Sequence, residues 1–537
     1  MAAAAVVLVA AAGGFALFLR PAGTTPARAL AAPRFVDEAA TAGLVHTYGG
    51  DSRFFVGGGV AAFDCNDDGL PELYLAGGEN PAALYRNLSA VGGSLRFERI
   101  ADPVTDLTDV TGAYPLDVDG DGRTDLAVLR AGENVMLRGL GDCGFERANE
   151  QWSVDGGDGR TMAFSATWEG DAALPTLAFG DYIELDPRGV PQPPCPDNEL
   201  LRPSGDRYGT VISLSPGYCA LSMLFSDWDR SGRRDLRISN DRQYYTDGQE
   251  QLWRVEAGSA PRPYTDDDGW ARMQIFGMGI ASQDLTDDGY PEVYLTSQGD
   301  NKLQSLLAGP EQPTYRDIAL RRAVNAPQPF AGGEALPSTA WHPEFADVNN
   351  DGFIDLLVTK GNVSEQEGYA TRDPSELLLG QTDGTFTQAA DEAGLVRFDR
   401  GRGAAVVDLN LDGWLDLVEV YLDAPVGLWR STGPPETDAA AHWLAVRPEQ
   451  DAPNRDAVGA WVEVRIGETV LLREVMVGGG HISGELGWIH FGLGPSTRAE
   501  VRITWPDGRI GDWQTVDADQ FVVLRRDAEP RPWEPTP

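Results

Sequence analysis

The sequence contains very little lysine: only Lys302 and Lys360 occur in 537 residues. Lys and Arg together number 43 against 82 Asp and Glu, which gives a formal net charge of -39. A nucleic-acid-binding protein needs a basic surface, so this class is excluded. Disorder is excluded as well, because 42% of the residues are hydrophobic, and 14 Trp and 19 Phe can fill cores. The acidic residues must therefore lie on a folded scaffold.

Cysteine and histidine are also scarce, with four cysteines and five histidines in the chain. Cys65, Cys143, Cys195 and Cys219 include no C-x-x-C spacing, which excludes a zinc or thioredoxin-like site built on them. Their even number is typical of disulfides in an exported protein. Cys195 and Cys219 flank one proline-rich stretch and form the favoured pair. The histidines lack a metal-binding spacing, so we expect structural roles for them.

Long apolar runs are absent except at the N-terminus, where the 18 residues 2–19 (AAAAVVLVAAAGGFALFL) are uncharged. This length lies at the lower edge of a membrane-spanning helix and above the usual length of a signal-peptide core. We interpret residues 1–31 as a cleaved signal peptide or an N-terminal membrane anchor; a buried core helix is the third alternative. Either of the first two predicts an exported protein that is secreted, periplasmic or at the cell surface, with membrane contact only through this segment.

The acidic residues are concentrated in a repeated motif. Six segments share the pattern D-x-[D/N/T]-x-[D/S]-G-x-x-[D/E]-[L/V], beginning at residues 64, 117, 227, 284, 347 and 408. Oxygen-bearing side chains at positions 1, 3, 5 and 9, with glycine at position 6 for a sharp turn, suit calcium better than magnesium. The predicted metal ligands are Asp64, Asn66, Asp68, Glu72, Asp117, Asp119, Asp121, Asp125, Asp227, Asp229, Ser231, Asp235, Asp284, Thr286, Asp288, Glu292, Asp347, Asn349, Asp351, Asp355, Asp408, Asn410, Asp412 and Asp416.

The EF-hand is the alternative calcium loop, and position 12 excludes it. An EF-hand needs a bidentate Glu at this position and a helix on each side. Five of the six residues found there are apolar, and Glu419 is the exception. Short apolar stretches precede and follow each loop, for example residues 60–63 and 356–358. The pattern predicts that each loop connects two strands of a hairpin.

The spacing of the loops predicts the architecture. Successive starts differ by 53, 110, 57, 63 and 61 residues, and the gap of 110 spans two periods. Within that gap, residues 167–180 (TWEGDAALPTLAFG) resemble a loop that has lost its acids. Seven units of this length, each with four short strands, suit a seven-bladed β-propeller over residues 33–431. The predicted fold class is therefore all-β.

Two further contacts follow from this arrangement. Residues 34–44 (RFVDEAATAGL) resemble residues 385–395 (TFTQAADEAGL), which end the sixth unit. Since the seventh unit has no such segment of its own, we expect residues 35–38 to supply its outer strand and close the ring. Cys65 and Cys143 would then lie on the same side of adjacent units, where a disulfide can form.

The six loops differ in how complete their ligand sets are. The loops at 64, 117, 347 and 408 have all four oxygen-bearing side chains. Thr286 replaces the acid or amide at position 3 of the 284 loop, and Ser231 replaces the acid at position 5 of the 227 loop. We expect weaker binding at these two. Up to six structural calcium ions are predicted, because loops with several carboxylates repel themselves without a cation.

The repeats resemble FG-GAP/VCBS calcium-loop repeats, and residues 277–280 (GMGI) are similar to the strand entry common in that group. The later part of the chain resembles an ASPIC/UnbV domain through the segments HWLAVRP (442–448), NRDAVGAWVEV (454–464), GGGHISG (478–484), HFGLG (490–494) and VRITWPDG (501–508). The order of the two parts is similar to that in the cartilage acidic protein family and its bacterial relatives. The chain departs from the pattern in its third unit and at His481, where an aromatic residue is expected. The resemblance implies an extracellular calcium-binding protein and no catalysed reaction.

The remainder of the chain after the seventh unit divides into three parts. Residues 442–526 are predicted to form the ASPIC/UnbV domain, a small β-sandwich or barrel-like fold, because residues 462–466 and 501–505 alternate with period 2. Residues 432–441 (TGPPETDAAA) predict a linker. Residues 527–537 are Pro-rich and predict a flexible tail.

Two classes of function fit the sequence best. The favoured one is a non-catalytic, exported calcium-binding protein that binds an extracellular protein or glycan, as in adhesion, because propeller rims present many loops. The alternative is a carbohydrate-active or other hydrolytic enzyme that uses the propeller channel. It would need an acidic pair outside the metal loops, lining the channel, with raised pKa values. A purely architectural role is a third possibility.

Overall fold

The computed structural model describes residues 29–186, 188–241, 247–435 and 441–535. The predicted signal or anchor sequence at residues 2–19, and residues 436–440 of the predicted linker, lie outside the described residues. Within these described ranges, no helix is long and apolar enough to cross a membrane. The all-β class is confirmed. The short helices are α1 (Ala39–Ala42), α2 (Asn149–Trp152), a 3-10 turn (Asp266–Asp268), α3 (Ala319–Arg322) and α4 (Ala390–Ala393).

The first 431 residues contain seven antiparallel groups of four strands, which we call units. Unit 1 comprises β2 (Val60–Phe63), β3 (Glu72–Leu75), β4 (Ala83–Asn87) and β5 (Phe97–Ile100). Unit 2 comprises β6 (Val110–Leu116), β7 (Asp125–Arg130), β8 (Val135–Gly141) and β9 (Gly144–Arg147). Unit 3 comprises β10 (Thr161–Thr167), β11 (Thr176–Asp181), β12 (Asn198–Leu201) and β15 (Ile212–Leu214), with a small hairpin of β13 (Pro203–Ser204) and β14 (Arg207–Tyr208) between the last two.

The other four units follow the same pattern. Unit 4 comprises β16 (Ala220–Ser226), β17 (Asp235–Asn240), β18 (Gln251–Arg254) and β19 (Arg262–Pro263). Unit 5 comprises β20 (Gly277–Gln283), β21 (Glu292–Ser297), β22 (Lys302–Leu306) and β23 (Tyr315–Asp317). Unit 6 comprises β24 (Ala340–Ala346), β25 (Asp355–Lys360), β26 (Glu376–Gly380) and β27 (Phe386–Gln388). Unit 7 comprises β28 (Arg400–Val407), β29 (Asp416–Leu422), β30 (Gly427–Ser431) and β1 (Phe35–Asp37).

The first strand of each unit is the innermost one. Strands β2, β6, β10, β16, β20, β24 and β28 each contact the next in this order, and β28 contacts β2. These strands are almost wholly buried and rich in small residues, as expected where backbones approach closely on several sides. The contacts form a closed circle, and we interpret the units as blades of a propeller.

The predicted closure of the ring by the N-terminus is confirmed. Strand β1 pairs antiparallel with β30, so that Phe35 lies opposite Ser431 and Asp37 lies opposite Trp429. Glu38 follows the strand and accepts hydrogen bonds from Arg430 and from the backbone of Leu95, both at 2.8 Å. The N-terminal segment therefore joins units 7 and 1.

Both expected disulfides are present. Cys65 and Cys143 link units 1 and 2, and Cys195 and Cys219 link the third and fourth units. The predicted metal-free loop of unit 3 is also a hairpin connection, between β10 and β11. Arg202, which follows β12, donates to Glu169 of that loop at 2.7 Å. An arginine thus neutralises an acid that the loop retains.

Residues after the linker form two packed sheets. The strands are β31 (His442–Glu449), β32 (Trp461–Ile466), β33 (Thr469–Glu474), β34 (Val477–Gly478), β35 (Gly484–Leu486), β36 (Ile489–Gly494), β37 (Arg498–Thr504), β38 (Gln514–Asp517), β39 (Gln520–Arg525) and β40 (Arg531–Trp533). One sheet has the order β36-β31-β39-β40 and the other β33-β32-β37-β38. Val446, Val462, Val501 and Val522 belong to the core between them. This is the C-terminal domain.

The C-terminal tail differs from the prediction. Residues 527–537 were expected to be flexible, but Arg531–Trp533 pairs with Phe521–Val523 as the fourth strand of its sheet. Trp533 packs against Trp488 and Phe521, with ring centroids 5.2 and 5.8 Å away. Partial burial of this aromatic side chain and the strand pairing are the physical reasons that the Pro-rich stretch is ordered.

Residues 477–486 of the C-terminal domain, here called the central segment, lie among the innermost strands. Strand β34 pairs with both β10 and β16 and so joins units 3 and 4 into one sheet. Strand β35 pairs in parallel with β2. Gly112 leaves room for the segment, because a Cβ there would lie 2.2 Å from the carbonyl oxygen of Ile482. This insertion was not expected from the sequence.

Candidate functional site

The six acidic loops share one hydrogen-bonding arrangement. The Asp at position 1 accepts the backbone N–H of the glycine at position 6 in every loop, at 2.7 to 3.1 Å. Each of these glycines has a φ between +84° and +88°, which other residues adopt only with strain. The turn therefore folds each loop back onto its position 1 carboxylate, and metal binding by these loops stays a prediction.

The acid at position 9 is buried and holds the loop to its sheet. In five loops its carboxylate accepts the N–H of position 2, at 2.7 to 3.0 Å. In the 117 loop the other oxygen of Asp125 accepts the N–H of Gly139 at 2.7 Å, on the third strand. A carboxylate has about four acceptor sites, so these bonds leave capacity for a metal ion. The position 9 acids thus serve the fold as well as the predicted site.

The 117 loop illustrates how the residues fit a divalent cation. One carboxylate oxygen from each of Asp117, Asp119 and Asp121 lies within 4.8 Å of the others. Burial and neighbouring carboxylates raise the pKa of Asp117 to about 7 and that of Asp125 to about 8. Arg138 contacts the outer oxygens of Asp119 and Asp121 at 2.6 and 2.5 Å. The loop therefore gathers more negative charge than its protein neighbours neutralise.

The side chains of the 408, 64 and 284 loops also fit a divalent cation. Asn410 is buried, and its side-chain oxygen Oδ1 lacks a hydrogen-bond partner among the described residues. A calcium ion would supply that partner, since amide oxygens are calcium ligands. In the 64 loop, the side-chain amide nitrogen of Asn66 donates to a carboxylate oxygen of Asp68 at 3.0 Å. In the 284 loop, the Thr286 hydroxyl donates to Glu292 at 3.2 Å, so that its oxygen faces the inside of the loop.

The 347 loop is the most deeply buried of the six. Asp347, Asn349, Asp351 and Asp355 are all at most 2% exposed. The N-terminal segment covers one side, where the N–H of Leu30 donates to Asp351 at 2.8 Å.

The C-terminal domain covers another side of the 347 loop. There Asn350 contacts Nε2 of His490 at 2.6 Å. Burial, and then the charge of Asp351, raise the pKa of Asp347 well above its usual range. A cation bound here would let these carboxyl groups ionise, because it would offset the cost of burying their charge.

The 227 loop does not fit a calcium ion. The guanidinium of Arg233, at position 7, contacts Asp235 at 2.9 and 3.1 Å and Asp229 at 3.2 Å. Tyr264 and the indole N–H of Trp228 donate to the same Asp235. Ser231 suggested weak binding at the sequence level, but the geometry goes further. An internal arginine supplies the positive charge here.

A cavity of about 310 Å³ lies between the propeller and the C-terminal domain. Glu344 from β24 and Glu485 from β35 line it, and their side chains are hydrogen-bonded to each other. Burial raises the pKa of Glu344 to about 8 and that of Glu485 well above its usual range. Sequence reasoning missed this pair, because its members are 141 residues apart and neither belongs to a motif.

Two histidines lie behind this pair. The N–H of His481 donates to Nδ1 of His342 at 3.0 Å, so the proton of the neutral His342 ring is on Nε2 and faces Glu344 at 3.1 Å. The His481 ring packs at a tilt against Trp341, with ring centroids 5.1 Å apart, and contacts the carbonyl of Val56 at 2.9 Å. His481 thus fills the position at which an aromatic residue was expected, and it anchors the central segment.

Comparisons with known proteins agree with the resemblances noted in the sequence. Residues 450–531 match the family model ASPIC and UnbV, and residues 64–128 match the FG-GAP-like repeat model. Cartilage acidic protein 1 from Mus musculus is 24% identical over 514 residues, which cover 87% of this chain and 73% of that protein. The Xenopus tropicalis protein of the same name is 27% identical over 515 residues, with the same coverage. These findings confirm the predicted resemblance.

The solved structure of the Dos1 propeller is also similar to this chain. It is 10% identical in sequence, the match covers 74% of this chain and 97% of that one, and the TM-score is 0.34.

Proposed function

We propose that this chain is an exported calcium-binding β-propeller protein that binds an extracellular protein or glycan without catalysing a reaction. The observation that supports it is the gathering of three carboxylate oxygens within 4.8 Å in the 117 loop, together with the same hydrogen-bonded turn in the loops at 64, 284, 347 and 408. The sixth predicted ion, at 227, is replaced by Arg233 in this proposal. The protein therefore binds five calcium ions.

Two observations support an exported location. The four cysteines form two disulfides, which persist in oxidising compartments and are rare in the cytosol. The chain is similar to cartilage acidic protein 1 over most of its length. A strongly negative charge also argues against a nucleic acid or another polyanion as the partner.

Calcium counting tests the metal part of the proposal. The protein is stripped with chelator, titrated with calcium by calorimetry, and analysed for bound metal after desalting. We expect five ions per chain, with dissociation constants of about 0.1 to 1 mM, as in extracellular modules. The variant Asp412→Asn should lose one ion, while Asp383→Asn, on an exposed turn outside the loops, should retain all five. Calcium bound to neither protein contradicts the proposal.

Partner binding is tested on glycan arrays and by pull-down from extracellular material. Binding should occur with about 1 mM calcium and disappear with chelator, because the rim loops lose their order. Equal binding with calcium and with chelator would show that partner recognition does not depend on calcium.

A hydrolytic enzyme is the alternative function, because the Glu344–Glu485 pair is a pair of acids outside the metal loops. Glycosidases place their carboxyl groups about 5 to 5.5 Å or about 6.5 to 9.5 Å apart, whereas this pair is in direct hydrogen-bonding contact. The central segment also occupies the middle of the ring, where a channel site would lie. A glycosidase screen of the protein and of Glu344→Gln tests this alternative; activity that the variant loses would favour it.

A further inference from the structure

The interdomain cavity has the size of a small-molecule site. Its volume of about 310 Å³ is within the usual range for ligand pockets, about 300 to 1,000 Å³. Met476, Trp488 and Phe521 contribute apolar wall, and Glu344 and Glu485 contribute the carboxyl groups. Glu344 is not sealed away, because 19% of its side chain is exposed to a water-sized probe. The cavity therefore offers a polar end and an apolar end.

The carboxyl pair is held in place from outside. The backbone N–H of Val406 donates to Oε1 of Glu485 at 2.7 Å. His342 donates to Oε2 of Glu344 at 3.1 Å, and its own ring is oriented by His481. These donors come from β28, β24 and the central segment. The two carboxyl groups are therefore held in hydrogen-bonding contact inside the cavity, and burial keeps both of them protonated at neutral pH.

The charge of the molecule decides which ligand suits this pair. With a formal net charge of -39, the protein attracts cations and repels anions, and five calcium ions do not reverse that sign. An ammonium group can donate hydrogen bonds to both carboxylates. The apolar walls would pack against the organic part of such a ligand.

We propose that this cavity binds a small organic amine whose ammonium group takes the place of one of the two protons held by Glu344 and Glu485, while the other carboxyl group stays protonated. The displaced proton leaves to solvent, and no covalent bond of the ligand is made or broken. The proposal is independent of calcium binding and of any partner at the propeller rim.

Proton displacement gives the binding a defined pH dependence. The pKa of Glu344 is raised to about 8 by burial, so Glu344 holds its proton at lower pH. His342 and Arg473, which face the pair, do not change their charge between pH 6 and 8, since the pKa of His342 is lowered to about 4 and that of Arg473 to about 10. Affinity for an amine should therefore fall by up to about 10-fold for each unit below pH 8.

Four other acids line the cavity: Asp64 and Asp408, which belong to calcium loops and would be bound to calcium in the calcium-saturated protein, and Asp456 and Glu474. Burial raises the pKa of Asp456 to about 6 and that of Glu474 to about 8. Both oxygens of Glu474 accept hydrogen bonds from unit 4, from the Ser226 hydroxyl and the Asp227 N–H, at 2.7 and 2.8 Å. Variants of Glu344 and Glu485 distinguish the titration of this pair from that of the other acids in the cavity.

The test is calorimetry on the calcium-saturated full chain with three probes of similar size. Benzylamine is a cation, benzyl alcohol is neutral and benzoate is an anion. We expect benzylamine to bind at least 10-fold more tightly than the other two. Titrations in two buffers of different ionisation enthalpy should show about one proton released per benzylamine at pH 7.

Variants identify the source of the proton. Glu485→Gln should abolish proton release and weaken benzylamine binding at least 10-fold, whereas Asp456→Asn should retain proton release. Thermal melting tests whether each variant is folded. If Glu485→Gln does not fold, the number of protons that the unaltered protein releases on benzylamine binding tests the proposal. Three results would each overturn the proposal: benzyl alcohol binding as tightly as benzylamine, benzylamine affinity that is constant from pH 6 to 8, or no binding of any probe at 10 mM.

Discussion

Single side chains decide the electrostatics of this molecule. In the 227 loop the Arg233 guanidinium stands where the other loops gather free oxygens, and it contacts both Asp229 and Asp235. In unit 3 the guanidinium of Arg202 forms an ion pair with Glu169 of the β10–β11 loop. A covalently attached cation cannot dissociate, so these two hairpins need no metal. We therefore predict that Arg233 makes the 227 loop independent of calcium.

Replacement of Arg233 by alanine should convert the 227 loop to a calcium-dependent one. With chelator the variant should lose about 2 kcal/mol or more of stability, because Asp235 is left buried without its partner. With calcium it should bind one ion more than the unaltered protein. Thermal melting and calcium counting measure both effects.

Arg123→Ala is the matched control for this substitution. Arg123 also occupies position 7, in the 117 loop, but it is half exposed and lies 3.8 Å from Asp121. Its removal should change neither the calcium count nor the stability by more than about 0.5 kcal/mol. An Arg233→Ala protein that behaves like this control would show that the arginine does not replace a metal.

At the scale of elements, the central segment ties the two domains together. It adds strands to units 1, 3 and 4, and Gly480 exchanges hydrogen bonds with Ile280 of unit 5 at 2.7 and 3.1 Å. The cavity and the Glu344–Glu485 pair exist only when the segment is in place. Its position depends on small residues in the innermost strands, because larger side chains would occupy the same space.

A larger side chain at Gly112 should therefore displace the central segment. A Cβ at this position would lie 2.2 Å from the carbonyl oxygen of Ile482, too close for any real contact. We expect Gly112→Val to lose at least 2 kcal/mol of stability, as strongly overpacked sites do, at the upper end of about 1 to 3 kcal/mol. Limited proteolysis should then cut between residues 474 and 489.

The control for this effect is Gly157→Ala, in the connection between units 2 and 3, where no atom lies within 4 Å of the added Cβ. Its φ of +65° gives some backbone strain but no clash, so the segment should stay protected. Equal cleavage of both variants would mean that space at Gly112 does not hold the segment.

For the whole molecule, calcium and ring closure should act on one cooperative structure. The ring is closed by β1, bridged by two disulfides, and joined to the C-terminal domain through the central segment. The 347 loop lies where the N-terminal segment, unit 6 and the C-terminal domain meet. Loss of its cation would therefore affect all three parts.

Removal of calcium should lower the melting temperature in a single transition. Five sites with dissociation constants of about 0.1 to 1 mM contribute about 2 to 7 kcal/mol at about 1 mM calcium. For a chain of this length, with an unfolding entropy of about 1 kcal/mol/K, the shift is roughly 2 to 7 °C.

Differential scanning calorimetry with chelator, with calcium and with magnesium measures this shift. Magnesium should restore less of it than calcium, because it retains its water and needs octahedral geometry. Two separate transitions, or an unchanged midpoint with chelator, would contradict this picture.

The sequence alone determined the features that depend on short spacing. The loop motif predicted the hairpins, the interval between loops predicted the number of units, and the likeness of residues 34–44 to residues 385–395 predicted the closing strand. Disulfide partners followed from that arrangement. These features could be predicted because a turn and its two strands are local, and a repeat reports the same local structure several times.

Only the tertiary structure decided the contacts between distant parts of the chain. It brought Glu485 to Glu344, inserted the central segment into the ring, ordered Trp533, and directed the Arg233 side chain into its own loop. Such contacts depend on how packed elements face each other and on which rotamer a long side chain adopts, and neither is encoded by spacing. The motif therefore located the acidic loops, but the three-dimensional packing decided how the negative charge of each loop is balanced.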